Sequence, residues 1–171
     1  MELESYLTSI KNSLESDEVK ISLIVDEIKK AKKRGSRVWV LGNGGSLAIA
    51  QHFAQDLLKM YSVRAQCLND PSIITAYAND EAFGQCFAMP LKILLDKDDL
   101  VIAFSCSGSS SNYQIIFSQF KCFKIAIVGT DGGFMKRLSN IFIHAKSESY
   151  QVCEAAFGIV ADLINIGLED S

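Results

Sequence analysis

The chain has no surplus of positive charge. Across 171 residues, 17 lysines and arginines face 20 aspartates and glutamates, for a formal net charge of −3. That balance supplies no electrostatic footprint for nucleic acid. The sequence shows no run of about 20 apolar residues that would span a bilayer, and Met1–Asp17 lacks the apolar centre of a signal peptide. Neither a nucleic-acid nor a membrane partner is expected, and a cytoplasmic location is. The five cysteines (Cys67, Cys86, Cys106, Cys122 and Cys153) are odd in number and have no paired metal-finger spacing. Several lie inside apolar runs, which suits a reduced intracellular setting. Histidine is scarce, with only His52 and His144. There is no internal repeat, linker or low-complexity tract, so a single domain over residues 1–171 is expected.

Nearly half of the residues are hydrophobic and 22% are charged, enough to fill one globular core. Residues 1–35 read as two helices. Leu3, Tyr6, Leu7, Ile10 and Leu14 keep a helical period, and Ser16-Asp17 can cap a second helix that runs to Gly35. From residue 36 onward, short apolar runs alternate with longer helical stretches. The strand candidates are Arg37–Leu41, Ala65–Leu68, Leu100–Phe104, Lys124–Val128 and Ile141–His144. Helical stretches are expected near Ser46–Lys59, Phe83–Leu95, Asn112–Phe120 and Val152–Leu168. Apolar strands joined by helical crossovers predict an α/β fold, a three-layer αβα sandwich around a mostly five-stranded parallel sheet of flavodoxin-like type.

In such sheets, ligands sit beyond the carboxyl ends of the strands. Gly42-Asn43-Gly44-Gly45-Ser46 follows the first strand and opens a helix, whose unpaired N–H groups suit an anion or a polar oxygen. The run lacks both the dinucleotide spacing and the terminal Gly-Lys-Ser/Thr of a nucleotide P-loop. Ser105-Cys106-Ser107-Gly108-Ser109-Ser110-Ser111-Asn112 follows the third strand and also precedes a helix. Its hydroxyls and backbone amides can cradle a phosphate without lysine or arginine. Asn79-Asp80 ends an apolar stretch and reads either as a helix N-cap or as a contact to sugar hydroxyls. Gly129–Gly133 is a further strand-end turn. His52 and Asp56, four apart on one helix face, suit acid–base work at a sugar carbon or two ligands of a metal.

In this order, Leu41–Ser46 (LGNGGS), Ala50–Phe53 (AQHF), Asn79-Asp80, Ser105–Ser110 (SCSGSS) and Gly129–Gly133 (GTDGG) resemble the phosphoheptose isomerase family within the larger sugar isomerase (SIS) group. The resemblance implies isomerisation of sedoheptulose 7-phosphate to D-glycero-D-manno-heptose 7-phosphate, on a route to surface heptose. It also implies a homotetramer with sites at subunit interfaces. No cofactor is required, although some family members hold zinc. On this resemblance, Ser105, Cys106, Ser107 and Ser110 hold the phosphate. Asn43, Gly44, Ser46 and Asp80 contact the sugar, and His52 and Asp56 form the reactive centre. His52, Asp56 and Cys153 would be a modified zinc set.

The departures are specific. Asp56 stands where the family has a proton-moving glutamate, and Met60 where it has an arginine. In the last helix, Cys153 and Ala161 stand where it has glutamine and a catalytic histidine. The chain is therefore expected to be either an aldose–ketose isomerase or a non-catalytic module that senses a sugar phosphate or assembles with partners.

Overall fold

A computed structural model describes residues 2–14 and 18–169. The expected Ser16-Asp17 cap lies outside them. The described elements are α1 (Leu3–Leu14), α2 (Glu18–Arg34), β1 (Arg37–Leu41), α3 (Gly45–Lys59), β2 (Arg64–Cys67), α4 (Pro71–Asp80), a 3₁₀ turn at Phe83–Gln85, and α5 (Ala88–Leu94). They continue with β3 (Leu100–Ser105), α6 (Ser111–Gln119), β4 (Phe123–Val128), α7 (Gly133–Leu138), β5 (Ile141–His144) and α8 (Tyr150–Glu169). The five strands form one sheet in the order β2-β1-β3-β4-β5, and every pairing is parallel.

Because successive side chains on a strand point to opposite faces, each apolar strand feeds two cores. Val38, Val40, Ile102, Phe104, Ile125 and Ile127 face one way and pack with α2, α3 and α8. Trp39, Leu41, Val101, Ala103, Ala126 and Val128 face the other way and pack with α5 and α6. These two cores around one sheet make the expected three layers. On the first face, Phe104 meets Phe53 of α3 (ring centroids 5.9 Å apart) and Phe157 of α8 (6.0 Å). The three rings sit directly beneath the residue that opens the serine-rich loop.

Some expectations are corrected. The helix expected over Phe83–Leu95 is broken into the 3₁₀ turn and α5, because Pro90 has no N–H and its ring excludes a carbonyl one turn earlier. Pro90 fits only in the first turn, so the helix starts just before it. Ile73–Ala78 belongs to α4, which is capped by Asp70 through Ser72 N (2.8 Å) and Ile73 N (3.2 Å) with Pro71 at its first position. Asn79-Asp80 therefore ends a helix and caps none. A last correction concerns α8, which is long and apolar enough to cross a membrane by length and composition, contrary to the expectation that no segment is. Glu154 and Asp162 interrupt its apolar run, and in the fold it packs against α1, α2 and α3.

Asp99, 2% exposed, ties the amino edge of the sheet together. Its carboxylate accepts from Arg37 N (2.8 Å), Trp39 Nε1 (3.0 Å) and Asp96 N (3.0 Å). Asp99→Ala strands three donors and is expected to lower the urea-derived unfolding free energy by about 2–4 kcal/mol. A change under about 0.5 kcal/mol would mean that these donors find water instead.

Candidate functional site

β1 and β3 are adjacent in the sheet, yet the chain leaves them in opposite directions. After β1 it enters α3 on one face; after β3 it enters α6 on the other. This is the switch point where an open α/β sheet leaves a crevice. A cleft of ≈ 320 Å³ lies there, lined by Asn43, Gly44, Gly45, Ser46, Ser105, Cys106, Ser107, Ser110, Tyr150 and Glu154. The glycine loop and the serine loop face each other across it.

The lining residues divide by what their polar atoms already do. Asn43 and Asn112 exchange amide hydrogen bonds, Asn43 Nδ2 donating to Asn112 Oδ1 (3.1 Å) and Asn112 Nδ2 to Asn43 Oδ1 (2.9 Å). This pair clamps the β1 loop to the start of α6, so Asn43 shapes the cleft wall. The buried Ser105 hydroxyl accepts from Gly108 N (3.1 Å) and holds the turn. Cys106 is buried and its carbonyl accepts from Thr130 Oγ1 (3.1 Å). Burial above all pushes its thiol up to about 11; nearby Cys153 and Glu154 reinforce the shift, and the Ser46 hydroxyl opposes it. At neutral pH it is an S–H group and no thiolate nucleophile. Ser110 is the N-cap of α6, but its hydroxyl makes no cap hydrogen bond. The half-buried Ser107 hydroxyl accepts from Ser109 N (3.2 Å) and keeps its own O–H to give. Both present O–H donors beside the first amides of α6. Among the described residues, no lysine or arginine lines the cleft.

Three of the residues singled out from sequence lie elsewhere, and a fourth sits just behind the cleft. Asp80 is exposed at the end of α4 and borders a separate hollow with Ser72, Ile73, Tyr77 and Glu81. It misses the cleft because it closes a helix that runs away from the strand end. His52 and Asp56 do meet, Nε2 to Oδ2 at 3.5 Å, with the His52 side chain 70% exposed and Asp56 buried. Asp56 lies about three turns, roughly 16 Å, down α3 from Gly45. Asp56 also accepts from Gln55 Nε2 at Oδ1 (3.3 Å) and, at Oδ2, from Nδ2 of Asn165 in α8 (3.1 Å). Asn165 Oδ1 is buried without a hydrogen-bond partner among the described residues.

Cys153, packed behind the cleft against Gly129, directs its thiol to the carbonyls of Ser147 (3.4 Å) and Ala145 (3.5 Å). The zinc set expected from His52, Asp56 and Cys153 is not assembled. Among the described residues, no three histidine, cysteine, aspartate or glutamate side chains converge.

α3 and α8 lie side by side, and two contacts set their register. Gly45 approaches Glu154, and about three turns further along both helices Asp56 meets Asn165. The helices are therefore parallel, and the same offset puts His52 opposite Ala161. Glu154 lines the cleft. Its place depends on this register, which no local pattern encodes. Asn112 is legible in the sequence only as the last residue of the serine-rich run, and Tyr150 carries no signal there.

Comparisons with known proteins agree with this fold. The family model described as "SIS domain" matches residues 3–121. A phosphoheptose isomerase from Trichlorobacter lovleyi is 33% identical over 86% of this chain and 82% of its own length. One from Helicobacter pylori is 31% identical over 86% and 81%. The solved structure of a phosphoheptose isomerase from Neisseria gonorrhoeae superposes with a TM-score of 0.91 over 98% of this chain and 95% of its own, at 20% identity. That last likeness speaks for the fold.

Proposed function

This chain belongs to the SIS domain family, among the phosphoheptose isomerases, and we propose that its cleft binds a sugar phosphate and isomerises it between ketose and aldose. The carrying observation is the pair of O–H donors, Ser107 and Ser110, at the amino end of α6, facing a second helix start across a polar cleft. Amides, hydroxyls and the α6 dipole stabilise a dianion there without a fixed cation. Sedoheptulose 7-phosphate is the proposed substrate, and D-glycero-D-manno-heptose 7-phosphate the product.

Isomerisation through an enediol needs a base that moves a proton between adjacent carbons. In this reading Asp56 is that base and His52 assists. Within one chain they stand too far down α3 to reach the cleft, so a neighbouring copy must bring them. We therefore propose a homo-oligomer, a tetramer by analogy, in which α3 of one copy completes the site of another. The exposed Ile159, Leu163 and Ile166, spaced along one side of α8, supply apolar surface for such contacts. A cytoplasmic location, with no nucleic-acid or membrane partner, goes with this reading.

Zinc, present in some relatives of this type, does not fit the single-chain donor set, because His52 and Asp56 lack a third protein ligand among the described residues. No step depends on it. A second reading, a sugar-phosphate sensor without turnover, draws support from Ala161 and Met60, which remove a proton-transfer partner and a cation.

Incubating the purified chain with sedoheptulose 7-phosphate decides between the readings. Appearance of the aldose, reduced at least tenfold by Asp56→Asn, supports the isomerase. Binding without product supports the sensor, and no binding overturns both.

A further inference from the structure

Among the described residues, Glu154 is the only carboxylate lining the cleft, and neither sequence motif contains it. Among the described residues, its side chain accepts no hydrogen bond and forms no ion pair. Its position is nonetheless held. A Cβ built at Gly45 would overlap the Glu154 carboxylate, with the Cδ carbon at 2.6 Å, so the absence of a side chain at residue 45 lets the acid sit against the first turn of α3. The positive end of that helix stabilises a negative charge there. On the other side of the cleft, the serine loop offers only donors and neutral hydroxyls.

The cleft thus has two chemically distinct ends, an anion-accepting end at Ser107 and Ser110 and an anionic end at Glu154. A phosphate dianion is attracted to the first and repelled by the second. A carboxylate with no internal partner is in turn a strong acceptor for hydroxyl donors, and a charged hydrogen bond contributes more than a neutral one.

We propose that Glu154 determines both the orientation and the class of ligand, a conclusion that rests on the sugar-phosphate reading above. The phosphate lies on the serine loop, and the polyol end donates hydroxyls to Glu154. Ligands carrying a second anionic group at the polyol end, such as phosphorylated sugar acids, are rejected by charge. Tyr150, exposed on the same wall, gives the carbon chain an apolar surface.

The test is calorimetric titration of the full chain with three probes: inorganic phosphate, sedoheptulose 7-phosphate and 6-phosphogluconate. Two variants accompany the wild type. Glu154→Gln removes the charge and keeps the shape. Gly45→Ala pushes the flexible carboxylate out of place. For wild type, the sugar phosphate is expected to bind at least tenfold more tightly than phosphate alone, and 6-phosphogluconate at least tenfold more weakly than the ketose phosphate. In Glu154→Gln, the sugar's advantage over phosphate should shrink about tenfold. Phosphate itself should bind unchanged or two- to fivefold tighter, and 6-phosphogluconate should gain. Gly45→Ala should move all three in the same directions by smaller factors.

An advantage unchanged within twofold in both variants overturns the proposal, as does wild-type binding of 6-phosphogluconate equal to that of the ketose phosphate. Equal losses for all three probes would mark Glu154 as merely structural and also overturn it. If wild type binds none of the probes, the sugar-phosphate reading itself fails and this proposal falls with it. If phosphate and ketose phosphate bind as expected but the variants do not discriminate, only the assignment of Glu154 fails.

Discussion

Gly108→Ala is expected to abolish ligand binding by the serine loop, with at least a hundredfold loss of affinity for inorganic phosphate or a sugar phosphate. Gly108 has φ +60°, a region that an L-residue enters only with strain. The larger effect is spatial. A Cβ there would overlap the Gly132 carbonyl, with its carbon at 2.5 Å and Gly133 N at 3.1 Å. These are backbone atoms of the neighbouring strand-end turn, so no rotamer change relieves the clash. One of the two turns must move.

The serine loop is held in place by Gly108 itself. Its N–H donates to Ser105 Oγ and its carbonyl accepts from Met135 N, both at 3.1 Å. Displacing it carries Ser107 and Ser110 away from the α6 amides. A stability loss of about 2–4 kcal/mol should accompany the loss of binding. Gly158→Ala is the matched control. A Cβ there meets nothing within 4 Å, and removing a helical glycine should be neutral or stabilise by up to about 1 kcal/mol. Titration calorimetry and urea unfolding measure both quantities. Binding by Gly108→Ala within threefold of wild type would show that the loop tolerates the shift and that its geometry is not what grips the anion.

Ala161→His should raise ketose–aldose turnover by about 10²–10⁴, the usual contribution of a placed general acid or base. The register of α3 and α8 puts residue 161 opposite His52, one turn from Asn165, the residue that holds Asp56. An imidazole there joins the carboxylate–imidazole pair that His52 and Asp56 form on the facing stripe. Ala161 is 5% exposed, so the ring must displace neighbouring core side chains, and the folded state of the variant is checked first by urea unfolding. Besides the rate, a new arm should enter the pH profile of kcat near the ordinary histidine range of about 6.5. Ala161→Leu fills similar space without a titrating group and should give neither effect. A folded, ligand-binding Ala161→His protein with turnover unchanged within threefold would remove residue 161 from the proton path. It would also favour the sensor reading.

The parts of the fold that are legible in the amino-acid sequence share a cause. β1, β3 and β4 are buried on both faces, so each is a continuous apolar run, and each ends abruptly in glycine or serine where the chain must turn. The ends of β1 and β3 mark the two loops of the cleft. α4 is harder to read because none of its residues is buried, and Ile73, Ile74, Tyr77 and Ala78 form only one short half-buried stripe. Its Asp70-Pro71 start is the signal that finds it. Reading Asn79-Asp80 as a helix start follows from missing that signal. α7 has only six residues, too few to show a period.

Within this protein, the order of motifs and the apolar spacing determined on their own the sheet and the two switch-point loops. These are local properties, because a strand end and the helix that follows it are contiguous in the chain. Tertiary structure alone decided that Asn43 spends its amide on Asn112 and that His52 and Asp56 stand away from the cleft of their own chain. It also decided that Glu154 lines the cleft while Cys153 beside it lies behind the cleft wall. Such assignments depend on the offset between two packed helices far apart in sequence. A slip of one residue between them would give different neighbours to every side chain along the seam.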